Sequence, residues 1–82
     1  GVVYDVMRDV IYSAETNSGA FMNGKRIKVN SIENFEESVL VTGFPYDIQN
    51  NPLNAVQKFE AFLLKARAVR RLGSAALDFC YV

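Results

Sequence analysis

Asn23-Gly24 stands between two short apolar-containing runs, Ala20 to Met22 and Lys25 to Val29, and constrains the chain more than any other pair. A type I′ turn needs positive φ at both central residues, and Asn-Gly takes that conformation at little cost. Upstream, Val2, Tyr4 and Val6 alternate with Val3, Asp5 and Met7, the period of a half-buried strand. Met7-Arg8-Asp9 supplies a turn, and Val10, Tyr12 and Ala14 resume the alternation. Asn17-Ser18-Gly19 turns the chain again with residues that tolerate left-handed backbone. Residues 1–30 therefore read as an antiparallel meander.

Beyond the meander the pattern changes. Asn30 to Ser38 is polar and acidic, with Ser31 or Asn34 able to cap a short helical turn. Val39-Leu40-Val41-Thr42 is a continuous β-branched and apolar run, the pattern of a strand buried on both faces. Gly43-Phe44-Pro45-Tyr46-Asp47 breaks it. One long helix follows, with Asn51 as N-cap and Pro52 at the first helical position. Leu53, Val56, Phe59, Leu63 and Ala66 recur at three- and four-residue steps and give it one apolar face, which Phe62 and Leu64 widen. Ala68-Val69 reads as a short strand, and the chain turns into a second helix at Gly73-Ser74. The order meander, strand, helix, strand, helix describes an α+β or layered α/β domain. Eighty-two residues make one small domain or part of one, with a marginal core of its own. Gly1-Val2-Val3-Tyr4 and Cys80-Tyr81-Val82 both read as cut through secondary structure, without cap or stop signals, so the expectation is an internal fragment of a single domain.

Several kinds of chemistry are excluded. Nine basic and nine acidic residues cancel, so no overall field points to nucleic acid, a membrane or a polyanion. Histidine is absent, which removes Ser-His-Asp and Cys-His catalysis and imidazole zinc sites from these residues. A single cysteine, Cys80, forms no disulfide within the chain and fits a reducing, cytoplasmic setting. Its apolar neighbours, Leu77 to Val82, make it read as a small buried hydrophobe rather than a nucleophile. No apolar stretch approaches the roughly 20 residues of a membrane span.

The candidate site is Gly73-Ser74-Ala75. Backbone N–H groups at a helix start bind anions and hydroxyls, and Arg70 and Arg71 stand just upstream. The same residues serve as a serine N-cap with small neighbours for close packing, the arginines being solvated or at an interface. Both readings stay open on spacing alone. Asp78, Asp5, Asp9, Glu15 and the Glu33, Glu36, Glu37 patch are carboxylates without the clustering a magnesium site needs.

Three stretches carry a resemblance. Gly1 to Asp5 with Gly19 to Ile27 resembles the mid-domain hairpin of the inositol monophosphatase family, and Leu40-Val41-Thr42-Gly43-Phe44-Pro45-Tyr46 resembles the strand and loop after it in bacterial-type members. Arg70 to Val82, with Gly73-Ser74-Ala75-Ala76-Leu77-Asp78 at its centre, is similar to the family's substrate-side helix. The resemblance implies a layered αβαβα sandwich, the sugar phosphatase fold, of which this chain holds part. It implies Mg²⁺-dependent hydrolysis of myo-inositol 1-phosphate or a similar sugar or polyol phosphate monoester, in a cytoplasmic homodimer. The family's metal ligands come from an Asp-Pro-x-Asp-Gly-Thr motif and a Trp-Asp motif, and neither occurs here. No catalytic residue and no metal ligand is carried over. Gly73, Ser74 and Ala75 match the helix start that contacts the substrate's ring hydroxyls, Asp78 is a helix residue, and Arg70 matches a position of structural or dimer-contact character. The piece alone is expected to be inactive. Alternatives are a fructose 1,6-bisphosphatase or a 3′-phosphoadenosine phosphatase of the same superfamily, or a non-catalytic interaction module.

Overall fold

Asn23 and Gly24 take φ of 49° and 78°, and Met22 pairs with Lys25 across them. The computed structural model describes residues 1–82, which form two units: Gly1–Ser31 together with Ser74–Val82, and Ile32–Gly73.

In the first unit, β1 (Val2–Asp5), β2 (Val10–Glu15), β3 (Gly19–Met22) and β4 (Lys25–Ile27) make a four-stranded antiparallel sheet in sequence order. Val3 faces Tyr12, Ser13 faces Phe21, and Phe21 faces Arg26. Each turn has its own device. Asp9 closes the β1–β2 turn at φ 54° and accepts the Tyr4 hydroxyl proton at 2.6 Å. At the β2–β3 turn Gly19 stands at φ 89°, and the Arg26 guanidinium lies 2.9 Å from the place a Cβ would occupy. Asn23 also reaches back to β2. Its Oδ1 accepts the Ile11 N–H at 2.8 Å while its own N–H donates to the Ile11 carbonyl at 2.8 Å. A short helix, α2 (Ala75–Tyr81), packs against β1, and Tyr81 meets Tyr12 edge-on at 6.3 Å. Between sheet and helix lies an open groove of about 790 Å³ lined by Val3, Tyr12, Phe21, Ile27 and Phe79 among others.

The second unit is a β-α-β arrangement. β5 (Val39–Val41) and β6 (Ala68–Arg70) pair in parallel, Leu40 opposite Val69, and the Thr42 N–H extends the ladder to the Arg70 carbonyl at 3.0 Å. Parallel neighbours need a crossover, and α1 (Ala55–Leu63) lies within it. Phe59 on α1 meets Phe44 edge-on at 5.1 Å, and Phe62 meets Phe35 at 5.8 Å. Of the apolar stripe expected from the three- and four-residue spacing, Phe59 and Ala66 are half-buried, whereas Leu53, ahead of the helix, and Leu64 are largely exposed and Val56 and Leu63 are about half exposed.

Two expectations change. The helix does not begin at Pro52: Asn51, Leu53 and Asn54 all hold left-handed backbone, with φ of 48°, 55° and 55°, which no right-handed helix accommodates. Separate 3₁₀ turns occupy Ile48–Asn50 and Pro52–Asn54, and α1 starts only at Ala55. Asn51 still serves the helix from a distance, its Oδ1 accepting the Val56 N–H at 2.9 Å and its Nδ2 donating to Gln57 at 2.7 Å. Nor is the Val39–Thr42 run covered on both faces: Val39 is 62% exposed, and Leu40, Val41 and Thr42 are half-buried. A two-stranded sheet with one nine-residue helix has too little surface to enclose it. No apolar side chain in the chain is fully buried, and the one buried residue is Asp5, at 6% exposure.

The Asn23-Gly24 turn yields a direct test. Asn23→Ala removes the bond to Ile11 and the tolerance of left-handed backbone, and should destabilise the protein by about 1–3 kcal/mol in urea unfolding. An unchanged midpoint would remove this turn from the account of the meander.

Candidate functional site

Ser74 is the N-cap of α2. Extended backbone at Ser74 (φ −133°, ψ 103°) follows a left-handed Gly73 at φ 95°, a conformation glycine takes without Cβ strain. The Ser74 Oγ accepts the Leu77 N–H at 3.4 Å, and its carbonyl accepts the first helical N–H, from Asp78, at 2.9 Å. A serine hydroxyl holds one donor and two lone pairs, so capping leaves its proton available to a ligand. Ser74 is half-buried, and Gly73 and Ala75 are exposed. The structure therefore keeps all three expected residues at a helix start, with a capping hydroxyl at its centre.

The arginines upstream have partners of their own within the second unit. Arg70 directs Nη1 to the Val69 carbonyl at 3.1 Å, and the Arg71 guanidinium stacks 4.9 Å above the Phe44 ring. Cation–π stacking of this kind holds a guanidinium flat against an aromatic face. Asp78 sits in the first turn of α2, where a negative charge suits the helix dipole, and its Oδ1 is buried without a hydrogen-bond partner.

A second cluster was not legible in the sequence. Asp5 accepts the Arg8 N–H at 3.3 Å on Oδ1 and the Arg8 guanidinium at 3.1 Å on Oδ2. The Tyr81 hydroxyl reaches Oδ2 at 3.4 Å, and Arg8 Nη1 donates to that hydroxyl at 2.5 Å. The guanidinium carbon also lies 5.9 Å from the Tyr81 ring centre. Burial alone would raise the Asp5 carboxyl. The hydrogen bonds and charge of Arg8, with a further backbone bond from Met7, outweigh burial and hold Asp5 below the ordinary carboxylate value. The bond to Asp5, first, and the adjacent Tyr81 raise Arg8 further above its usual value. Burial, then the charges of Tyr81 and Cys80, pushes the Tyr12 phenol up. The Asp5-x-x-Arg8 spacing was the local signal; Tyr81, 76 residues from Asp5, gave none.

No three of the chain's carboxylates and its cysteine converge as a metal-holding group, and no helix is long and apolar enough to cross a membrane. Over its whole length, residues 1–82, the chain matches the model of the inositol monophosphatase family.

It belongs to that family.

The match agrees with the resemblance read from the hairpin, the Thr42-Gly43-Phe44-Pro45 loop and the α2 segment. Nus factor SuhB of Haemophilus influenzae is 39% identical over 82 residues, 100% of this chain and 31% of that protein. The inositol monophosphatase structure from Anabaena superposes over 100% of this chain and 32% of its own, with a TM-score of 0.93 at 39% identity. Inositol monophosphate-bound IMPase-II of Staphylococcus aureus gives 0.80 at 30% identity, covering 100% of this chain and 31% of that one. The fold is that of the inositol monophosphatases, and the chain spans about a third of the length of the relatives it matches.

The lowered Asp5 value fixes a pH dependence. A carboxyl whose folded value lies below its unfolded one adds stability above the unfolded pKa, about 3.9. That contribution is lost as pH falls through the folded value. The melting temperature should therefore fall as pH drops from about 5 toward 2. Asp5→Asn should lower the neutral-pH value and flatten this acid limb. An acid limb unaltered in Asp5→Asn would show that Asp5 does not carry it.

Proposed function

We propose that the protein to which these residues belong is a Mg²⁺-dependent phosphatase acting on myo-inositol 1-phosphate or a similar polyol phosphate monoester. Within it, Gly73, Ser74 and Ala75 form one wall of the substrate pocket. The observation that carries this reading is the α2 start: a glycine turn in left-handed backbone presenting a half-buried serine whose hydroxyl proton is not used in capping. A hydroxyl-rich ring is met by donors and acceptors of this kind, without a charged side chain. The Staphylococcus aureus relative that holds inositol monophosphate supports the substrate class.

These 82 residues do not fit as the metal site, since no group of ligating side chains converges. Their part is binding and scaffold, and the Mg²⁺ ligands lie in other segments of the protein. When bound, the metal supplies charge neutralisation at the phosphate and an activated water. A homodimer in the cytoplasm belongs to the same reading, the setting being consistent with one cysteine that forms no disulfide. Fructose 1,6-bisphosphatase or 3′-phosphoadenosine phosphatase activity is the nearest alternative.

A non-catalytic interaction role is the second reading, and the name Nus factor SuhB borne by a relative 39% identical favours it.

Phosphate release from inositol 1-phosphate by the whole protein separates the two. Turnover should appear with Mg²⁺ and vanish with EDTA, while residues 1–82 alone should give none. Ser74→Leu in the whole protein should raise KM about tenfold with kcat within about twofold, the pattern of a lost ground-state contact. A whole protein inert toward every phosphate monoester offered would leave the interaction reading standing.

A further inference from the structure

We infer that Asp5, Arg8 and Tyr81 are positioning residues: by holding the last turn of α2 against the β1–β2 turn, they set where the Ser74 hydroxyl stands. The inference deepens the proposed function and rests on its assignment of the α2 start to the substrate pocket.

Helix α2 has seven residues, too few to hold a helical shape in water by itself, so tertiary contacts must supply both its order and its direction. Apolar contacts supply little direction here. Phe79 is 83% exposed and the groove beneath the helix is open. Directional bonds come from Tyr81. Its hydroxyl lies between the Asp5 carboxylate, at 3.4 Å, and the Arg8 guanidinium, at 2.5 Å, while its ring rests edge-on against Tyr12. The carboxylate receiving it belongs to the one buried residue of the chain and is itself held by the Arg8 N–H and guanidinium. The short bond from the Arg8 guanidinium is charge-assisted, the oriented class, and the longer contact to Asp5 at 3.4 Å gives the hydroxyl a second direction.

Ser74 lies seven residues from Tyr81, about 10 Å along the helix at 1.5 Å per residue. A short rigid rod pinned at one end carries an angular error to the other. A tilt of about 6° about the Tyr81 end moves the Ser74 hydroxyl by about 1 Å, a displacement large enough to lose most of a positioned contact. The three side chains stand away from the helix start and reach it only through the helix.

The test uses the whole protein and inositol 1-phosphate. Tyr81→Phe keeps the ring against Tyr12 and deletes the hydroxyl. Arg8→Lys keeps a charge for Asp5 but not the fork that also reaches Tyr81. Tyr81→Phe should raise KM about three- to tenfold with kcat within about twofold, and speed amide exchange across Ala76 to Tyr81. Arg8→Lys should change KM in the same direction by less than Arg8→Met does. Ser74→Leu, measured alongside, should raise KM as well. KM raised by Ser74→Leu but unmoved by Tyr81→Phe and Arg8→Met overturns the positioning role alone. KM unmoved by Ser74→Leu overturns the pocket assignment and this inference with it. Faster α2 exchange in Tyr81→Phe at unchanged KM shows a purely structural contact and also overturns it.

Discussion

One carboxylate organises the first unit. Asp5 is the chain's only buried residue, and a buried charge without partners is costly enough to dictate what surrounds it. Arg8 answers it from three residues away across the β1–β2 turn, and Tyr81 answers it from the far end of the sequence. The sheet order, the edge-on tyrosine pair and the seat of α2 are all compatible with that arrangement. A small apolar core would serve the same end less specifically, because hydrophobic contact is non-directional. Here the apolar side chains line an open groove, and a polar contact sets the direction.

The second unit solves a different problem with backbone strain. Three residues in left-handed conformation, Asn51, Leu53 and Asn54, delay α1 to Ala55 and bring its aromatic stripe onto Phe35 and Phe44. Two of them are asparagines, which enter that region readily; Leu53 does so at about 1 kcal/mol or more and is 86% exposed. Asn51 offsets part of this by bonding both Val56 and Gln57.

What could be read in advance divides along the same line. The meander was legible because Asn23-Gly24, Asn17-Ser18-Gly19 and the alternating valines and tyrosines are local signals, each enforced within a few residues. Ser74 was legible as a cap for the same reason. The α1 start was not, since Asn51-Pro52 fits a helix opening on composition and only the φ of Leu53 reveals otherwise. Arg70 and Arg71 read either as charge for the helix start or as a solvated or interface pair, and their contacts with a carbonyl and an aromatic face could not be told from the sequence. Tyr81 on Asp5 lies beyond any pattern, because nothing local marks a partner 76 residues distant.

That separation has a consequence for how the protein acquires its shape. The first unit is interrupted in sequence: residues 32–73 intervene between its sheet and its helix. The meander can close hairpin by hairpin as it emerges from the ribosome, and the β-α-β segment has short-range contacts of its own. Helix α2 can reach Asp5 only after that intervening stretch has been made, and the entropy of closing the loop is already owed when it arrives. Until then Asp5 and Arg8 lack their Tyr81 partner, and the sheet residues that will line the groove, Val3, Tyr12 and Phe21 among them, stand open to whatever chain is nearby. A lag between synthesis of the meander and arrival of α2 is thus the period in which the nascent protein is most exposed to wrong contacts and to chaperones.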